Sequence, residues 1–278
     1  MGTVEGVRLV CVGDSFTEGM SDDLRADGEY LGWADRVATA LARRQADPGA
    51  DPTMDGAPVR YANLAVRGKL LDQVVAEQLA PAAAMAPTLT TFHAGPNDVL
   101  RRGTDLADLC ARYEQAVAQV ALSSERVLLF TSIGRAGGSG RLAAWLAARF
   151  ARFNANVRSV AERHGALLVD LEPVDVLTDR RVWHLDRLHL NAQGHARVAA
   201  AVLEQLDVTG PDLLGGAAGW WRDPLPEATA VGRVAAAATD AAWAREHLLP
   251  WVGRRLTGRS SGDGRTPKDP VLRVVAPG

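Results

Sequence analysis

The sequence predicts an α/β protein with a parallel sheet covered by helices on both faces. Three observations lead there. Five short apolar runs, residues 7–12, 61–66, 89–94, 127–133 and 166–171, have the length and β-branched content of buried strands. Between them lie stretches with 3.6-residue periodicity at 33–43, 70–85, 106–122 and 142–163. Polar, glycine-containing turns follow the first three runs. This alternation is that of βαβ units.

Taken in order, the first run breaks abruptly into Gly13-Asp14-Ser15-Phe16-Thr17-Glu18-Gly19. A buried strand here delivers a hydroxyl to its carboxyl end, where open α/β sheets build their sites, so Ser15 is the candidate nucleophile. Alone, a serine after a strand reads more readily as a helix cap, and other parts of the chain must lift it above that. Residues 20–32, with Asp22, Asp23, Arg25, Asp27 and Glu29, form either a substrate-facing loop or a solvated connection. Residues 47–58, rich in Pro, Gly and Asp, are a surface loop. The second run closes in Asn63-Leu64-Ala65-Val66-Arg67-Gly68, whose glycine N–H can approach a ligand closely. The third runs into Gly95-Pro96-Asn97-Asp98, an amide at the same sheet edge as Ser15. Residues 135–141, with three glycines, follow the fourth run as a rim of the site. A helix over 192–206 closes a domain of residues 1–208. Thr209-Gly210-Pro211 marks its boundary. Residues 209–278 form a C-terminal extension: Trp220-Trp221, a Pro-rich 223–226, an Ala-rich helix to about 249 that packs through Val231, Val234, Ala238 and Trp243, and a basic glycine-containing tail.

Composition narrows the partners. At 278 residues the chain can bury a large core. A formal charge of −2 gives no global attraction to nucleic acid or to an anionic membrane. No apolar run approaches the ~18 residues of a membrane span, and no signal pattern precedes Val7, so a cytoplasmic location is the expectation. Cys11 lies in a strand and Cys110 in a helix, which predicts two buried reduced thiols rather than a disulfide.

The second chemical feature is Asp186-Arg187-Leu188-His189. Residues three apart on a turn share a face, so Asp186 can accept the Nδ1 proton of His189 and leave Nε2 free to take a proton. Serine needs such a base, because a hydroxyl is a poor nucleophile until its proton is removed. Alone, the motif also suits a solvent-facing pair or a helix start. The Ser15 and Gly68 N–H groups with the Asn97 amide supply what a tetrahedral oxyanion requires, although singly Gly68 and Asn97 are ordinary turn residues. Asp14 and Asp98 are expected to bond turn backbone and hold the loops. His93 is either a support for these turns or a core histidine, and Trp183 either walls the pocket or packs in the core. His184, Asp186, His189 and His195 as metal ligands lack a His-Glu-x-x-His helix or cysteine pair. Ser260 in Gly258-Arg259-Ser260-Ser261-Gly262 matches a nucleophile-elbow pattern, but basic tail surrounds it instead of a strand and a helix.

Together, Gly13-Asp14-Ser15, Gly68, Gly95-x-Asn97-Asp98 and Asp186-x-x-His189 resemble the blocks of the GDSL, or SGNH, hydrolase superfamily across roughly the first 208 residues. Phe16 stands where the family name has leucine, and Pro96, in the variable slot, has no N–H to donate. The C-terminal part is similar to an extension of actinobacterial members. The resemblance implies a flavodoxin-like three-layer α/β/α sandwich with a five-stranded parallel sheet. It implies a Ser15, His189, Asp186 triad, an oxyanion hole of Ser15, Gly68 and Asn97, and neither metal nor organic cofactor. The expected reaction is hydrolysis of a small-molecule or carbohydrate ester, with short acyl or acetyl groups ahead of lipid-like ones. An acyltransferase would share every residue. A non-catalytic flavodoxin-like module binding phosphate or flavin through Ser15 and Thr17 is the rival, and it leaves Asp186, His189 and Asn97 without a task.

Overall fold

Strand β1 (Arg8–Gly13) is buried from Leu9 onward, and its side chains alternate between two cores. Leu9 and Cys11 join Trp33, Phe130, Leu171 and Val198 on one face. Val10 and Val12 join Phe92, Tyr113, Val117 and Phe153 on the other. A strand covered on both faces has no solvent side, which explains its unbroken apolar run. The computed structural model describes residues 6–46, 57–134, 140–208, 216–227, 243, 245, 246 and 260–277.

After β1 come α1 (Ser15–Glu18), α2 (Gly32–Ala46), β2 (Arg60–Asn63), α3 (Leu71–Val74), a π-helical turn at Val75–Leu79, α4 (Ala80–Ala84) and β3 (Leu89–His93). Then follow α5 (Pro96–Val99), α6 (Leu106–Ala121), β4 (Arg126–Phe130), α7 (Arg141–His164), β5 (Leu167–Val169), two 3₁₀ turns at Asp175–Thr178 and Arg180–Val182, and α8 (Ala192–Gln205). A 3₁₀ turn at Trp220–Arg222 and β6 (Asp269–Val274) complete the described elements. The sheet order is β5-β4-β3-β1-β2-β6. Its first five strands are parallel in the flavodoxin-like 2-1-3-4-5 order, with the topological switch between β1 and β3. Register pairs Gly13 with His93, so the turns after β1 and β3 leave the sheet side by side.

The sheet has six strands, not the five expected. The sixth, β6, runs antiparallel to β2 along the sheet edge and comes from the segment read as a basic glycine-containing tail. Its sequence, Asp269-Pro270-Val271-Leu272-Arg273-Val274, hides a strand because edge strands carry charge and tolerate proline. An ionic cluster holds it in place. Lys268, its side chain 1% exposed, gives Nζ to Asp35 Oδ2 at 2.5 Å and to the Tyr30 carbonyl at 2.7 Å. Arg25 bridges Asp35 at 3.0 Å and Asp269 at 2.7 Å, and the Tyr61 hydroxyl donates to Asp35.

Two further departures have physical causes. Strands β2 to β5 are shorter than their apolar runs, since the last residues of those runs leave the ladder to enter the turns at the sheet edge. The helix expected over 70–85 is interrupted by its π turn, just before Pro81, whose ring nitrogen has no proton for the helical ladder. That turn aims Gln78 at β1, where the Gly13 N–H donates to Oε1 at 2.8 Å and Nε2 donates back to the Gly13 carbonyl at 2.9 Å. Both cysteines are free: Cys11 is buried, its thiol pushed up to about 12 by desolvation, and Cys110 is half-buried. No described helix is long and apolar enough to cross a membrane. The expected loop at 47–58 for the most part, the rim at 135–139, the boundary at 209–211 and the Ala-rich helix, Trp243, Arg245 and Glu246 excepted, lie outside the described residues.

His195, on the first turn of α8, is 1% exposed and donates from Nε2 to the Met20 carbonyl at 3.1 Å. Burial pushes it down to about 4. Below its ordinary value of about 6.5 the unfolded chain takes up this proton before the folded one does, so the contribution to stability falls as pH drops from about 6.5 to 4. In urea unfolding, His195→Gln is expected to flatten the wild-type decline across that window by up to about 3 kcal/mol. Lys268→Ala, which leaves Asp35 short of its nearest cation, is expected to lower stability at pH 7 by about 3 kcal/mol in the same assay.

Candidate active site

The site lies at the carboxyl edge of the sheet, over the β1–β3 switch point. Asp14 caps α1, its Oδ1 accepting from the Phe16 N–H at 3.1 Å, and Ser15 opens that short helix. The Ser15 Oγ lies 3.1 Å from Nε2 of His189. Nδ1 of His189 lies 2.6 Å from Asp186 Oδ2. The other oxygen, Oδ1, accepts from the N–H groups of Leu188 (2.9 Å) and His189 (3.1 Å). Desolvation pushes the Asp186 carboxyl up, but the His189 contact and these two N–H groups outweigh it and hold the group well below the usual carboxylate range. Its charge therefore persists in mild acid. Arg187 between them adopts φ 59°, a left-handed conformation uncommon for a residue with a Cβ, and this tight turn lets both following amides face one carboxylate.

Gly68, at φ 75°, and Asn97 complete the set of residues singled out from the sequence. Among the described residues, the N–H groups of Ser15 and Gly68 have no protein acceptor. The Asn97 amide is engaged on both protons, donating to Asp14 Oδ2 at 3.2 Å and to the Lys69 carbonyl at 3.1 Å. Asp14 thus joins the first and third turns, and its Oδ1 lies 3.4 Å from Nδ1 of His93. His93 also packs on Phe16, ring centroids 4.3 Å apart. Asp98 accepts from the Leu71 N–H at 2.9 Å and pins the second turn to the third. Trp183 lines the cavity while its Nε1 donates to the Leu177 carbonyl, so it serves both as wall and as packing. His184 and His195 also face this cavity, but His189 is the histidine that lies between a hydroxyl and a carboxylate.

Ser15, Gly68, Asn97, Asp186 and His189 line one cavity of about 470 Å³, which has both apolar walls (Leu70, Leu100, Ile133, Phe150) and hydroxyls (Ser21, Tyr30, Ser132). Met20, Ser21 and Tyr30 come from the 20–32 segment, which is therefore the site-facing loop of the two readings above.

Sequence reasoning missed several residues. Glu18, 4% exposed, receives the Arg67 N–H at 2.5 Å, its Nε at 2.8 Å and its Nη2, tying the Gly68 turn to the serine helix. An acid three residues past Ser15 was its only trace. Gln78 was hidden in a helical stripe. Trp243, read from the sequence only as a packing residue, donates from Nε1 to the Asp186 carbonyl at 3.1 Å, with Arg187 stacked 4.4 Å from its ring. Ser260 and Ser261, set aside as tail, line the cavity.

Comparison with known proteins agrees with this architecture. Residues 11–197 match the model of the GDSL-like lipase/acylhydrolase family. Among solved structures, LAE5, an α/β hydrolase from the metagenome of Lake Arreo, Spain, is similar at 23% identity over 75% of this chain and 98% of its own, with a TM-score of 0.59. Axe2, an acetylxylan esterase from Geobacillus stearothermophilus, is similar at 21% identity over 74% and 96%, TM-score 0.57. A catalytic serine-to-alanine mutant of Axe2 is similar at 20% identity over 75% and 98%, TM-score 0.58. No curated protein sequence matches the chain. At these identities the solved structures establish the fold, and the family match spans two-thirds of the sequence: the chain belongs to the GDSL-like lipase/acylhydrolase family and is an ester-hydrolysing enzyme.

Proposed function

We propose that the protein is a serine esterase acting through Ser15, His189 and Asp186 on short acyl, and in particular acetyl, esters of small or carbohydrate alcohols. The observation that supports it best is the unbroken series from Ser15 Oγ to His189 Nε2 (3.1 Å) and from His189 Nδ1 to Asp186 (2.6 Å) inside a cavity of substrate size. Ser15 attacks the ester carbonyl carbon as His189 Nε2 takes its proton. Asp186, held ionised, fixes the Nδ1–H tautomer and stabilises the imidazolium. The carbonyl oxygen becomes an oxyanion held by the free N–H groups of Ser15 and Gly68, while the Asn97 amide shares one of its protons from its existing bonds. The imidazolium then protonates the leaving alcohol, and an acyl group remains on Ser15. Water repeats the cycle, giving its proton to His189 and releasing the acid.

The mixed lining suits a compact acyl group beside a hydroxyl-bearing alcohol, as does the acetylxylan esterase activity named for Axe2. Longer, lipid-like esters come next. An acceptor alcohol competing with water would turn the same residues to acyl transfer.

With p-nitrophenyl acetate, Ser15→Ala is expected to lower kcat by about 10⁴ or more, with a fluorophosphonate adduct of one label on Ser15 in the wild type and none in the variant. Retained turnover in Ser15→Ala would sink the assignment. Asp186→Asn is expected to cost about 10⁴ in kcat through the wrong imidazole tautomer. Asn97→Ala should lose about 10² to 10³ in kcat with little change in KM, because the oxyanion it serves exists only beyond the ground state.

A further inference from the structure

Residues 260–264 lie against the turn that carries Gly68. Ser260 Oγ rests so close to the Gly68 Cα that a Cβ added there would collide with it, and the buried Gly262 is equally tight against the Arg67 carbonyl. The turn is closed on itself: the Ser260 N–H donates to Asp263 Oδ2 at 2.8 Å, Gly262 N–H to Ser260 Oγ at 3.2 Å, and Arg265 N–H to the Gly262 carbonyl at 3.1 Å. It is fixed from the other end by buried Lys268 and by β6, and Arg265 reaches Glu29 of the site-facing loop at 3.4 Å. Ser260 accepts from Gly262 but, among the described residues, passes its own proton to no acceptor. Both serines line the cavity that holds Ser15.

We propose that the 260–264 turn is the wall of the acyl pocket and that Ser260 sets how long an acyl chain the enzyme accepts. The inference rests on the triad and oxyanion reading above. In that geometry the leaving oxygen must face His189 Nε2, which protonates it, and the oxyanion must face the Gly68 N–H. The remaining substituent of the tetrahedral carbon, the acyl chain, then points away from His189 and leaves the carbon beside the oxyanion, so it passes the turn that lies against Gly68. A serine against Gly68 closes that side at short range. Its hydroxyl offers a proton where a long alkyl chain would pass, which disfavours that chain further by leaving a polar group unpaired.

The test compares kcat/KM for p-nitrophenyl acetate, butyrate and octanoate, with thermal midpoints, in wild type, Ser260→Ala, Ser260→Leu, Gly262→Ala and Val271→Ser. Ser260→Leu is expected to lower the butyrate-to-acetate and octanoate-to-acetate ratios about tenfold, and Ser260→Ala to raise them about threefold. Gly262→Ala, whose new methyl must push the turn off Arg67, should raise the octanoate ratio as well. Val271, exposed on β6, leaves the profile unchanged when replaced. If the leucine variant fails to fold, the alanine variants at 260 and 262 still report. Ratios that stay at the wild-type value in every Ser260 and Gly262 variant, while turnover is lost in Ser15→Ala, would leave the turn a structural strap and overturn the proposal. Turnover that persists in Ser15→Ala instead overturns the site reading on which the proposal rests.

Discussion

The site depends on one pairing, the parallel register of β1 with β3. Because Gly13 stands opposite His93, the chain leaves both strands at the same level and in neighbouring positions. Ser15 and Asn97 then face one crevice without any long side chain having to reach for it. The crossing connections on opposite sides of this pair open the crevice itself, which is why doubly wound sheets place ligands here. The remaining parts attach to that frame. Gln78 secures the end of β1, Asp14 joins the first and third turns, and Asp98 joins the third to the second.

Charge is used differently in three places. Glu18 and Arg67 form a buried pair in which the carboxylate is also bonded to a backbone N–H, so desolvation is offset by several charge-assisted bonds and the gain is positional. Asp186 is held ionised by amides and an imidazole, which is what the proposed triad asks of it. Around Asp35 the charges are structural, since Lys268, Arg25 and Tyr61 converge on one carboxylate and fasten the edge strand.

How much of this was legible in the sequence follows from which signals are local. Gly13-Asp14-Ser15, Gly95-x-Asn97-Asp98 and Asp186-x-x-His189 each combine a turn with a chemical group, so the residues that meet in the candidate site could be singled out before any contact was known. The five parallel strands were legible because burial on both faces forces continuous apolar runs. What was not legible is long-range. Glu18 looks like an ordinary helix-start acid until Arg67 is placed beside it, and Gln78 is one polar position in a helix. β6 carries the charges and proline of an exposed edge, and only the burial of Lys268 and Asp269 reveals it as a strand.

The antiparallel edge strand has a consequence for how the molecule forms. Lys268 and Asp35 are 233 residues apart in the chain, so their contact closes one of the largest loops in the protein. Pairings at such separation are intrinsically slow to form, because chain entropy is lost before the contact compensates. During synthesis the parallel core of β1 to β5 emerges first, and β2 waits with its outer edge unpaired until β6 arrives. In that interval the nascent enzyme presents an open strand edge to its neighbours, so its window of aggregation during biogenesis ends only when the last described strand is in place.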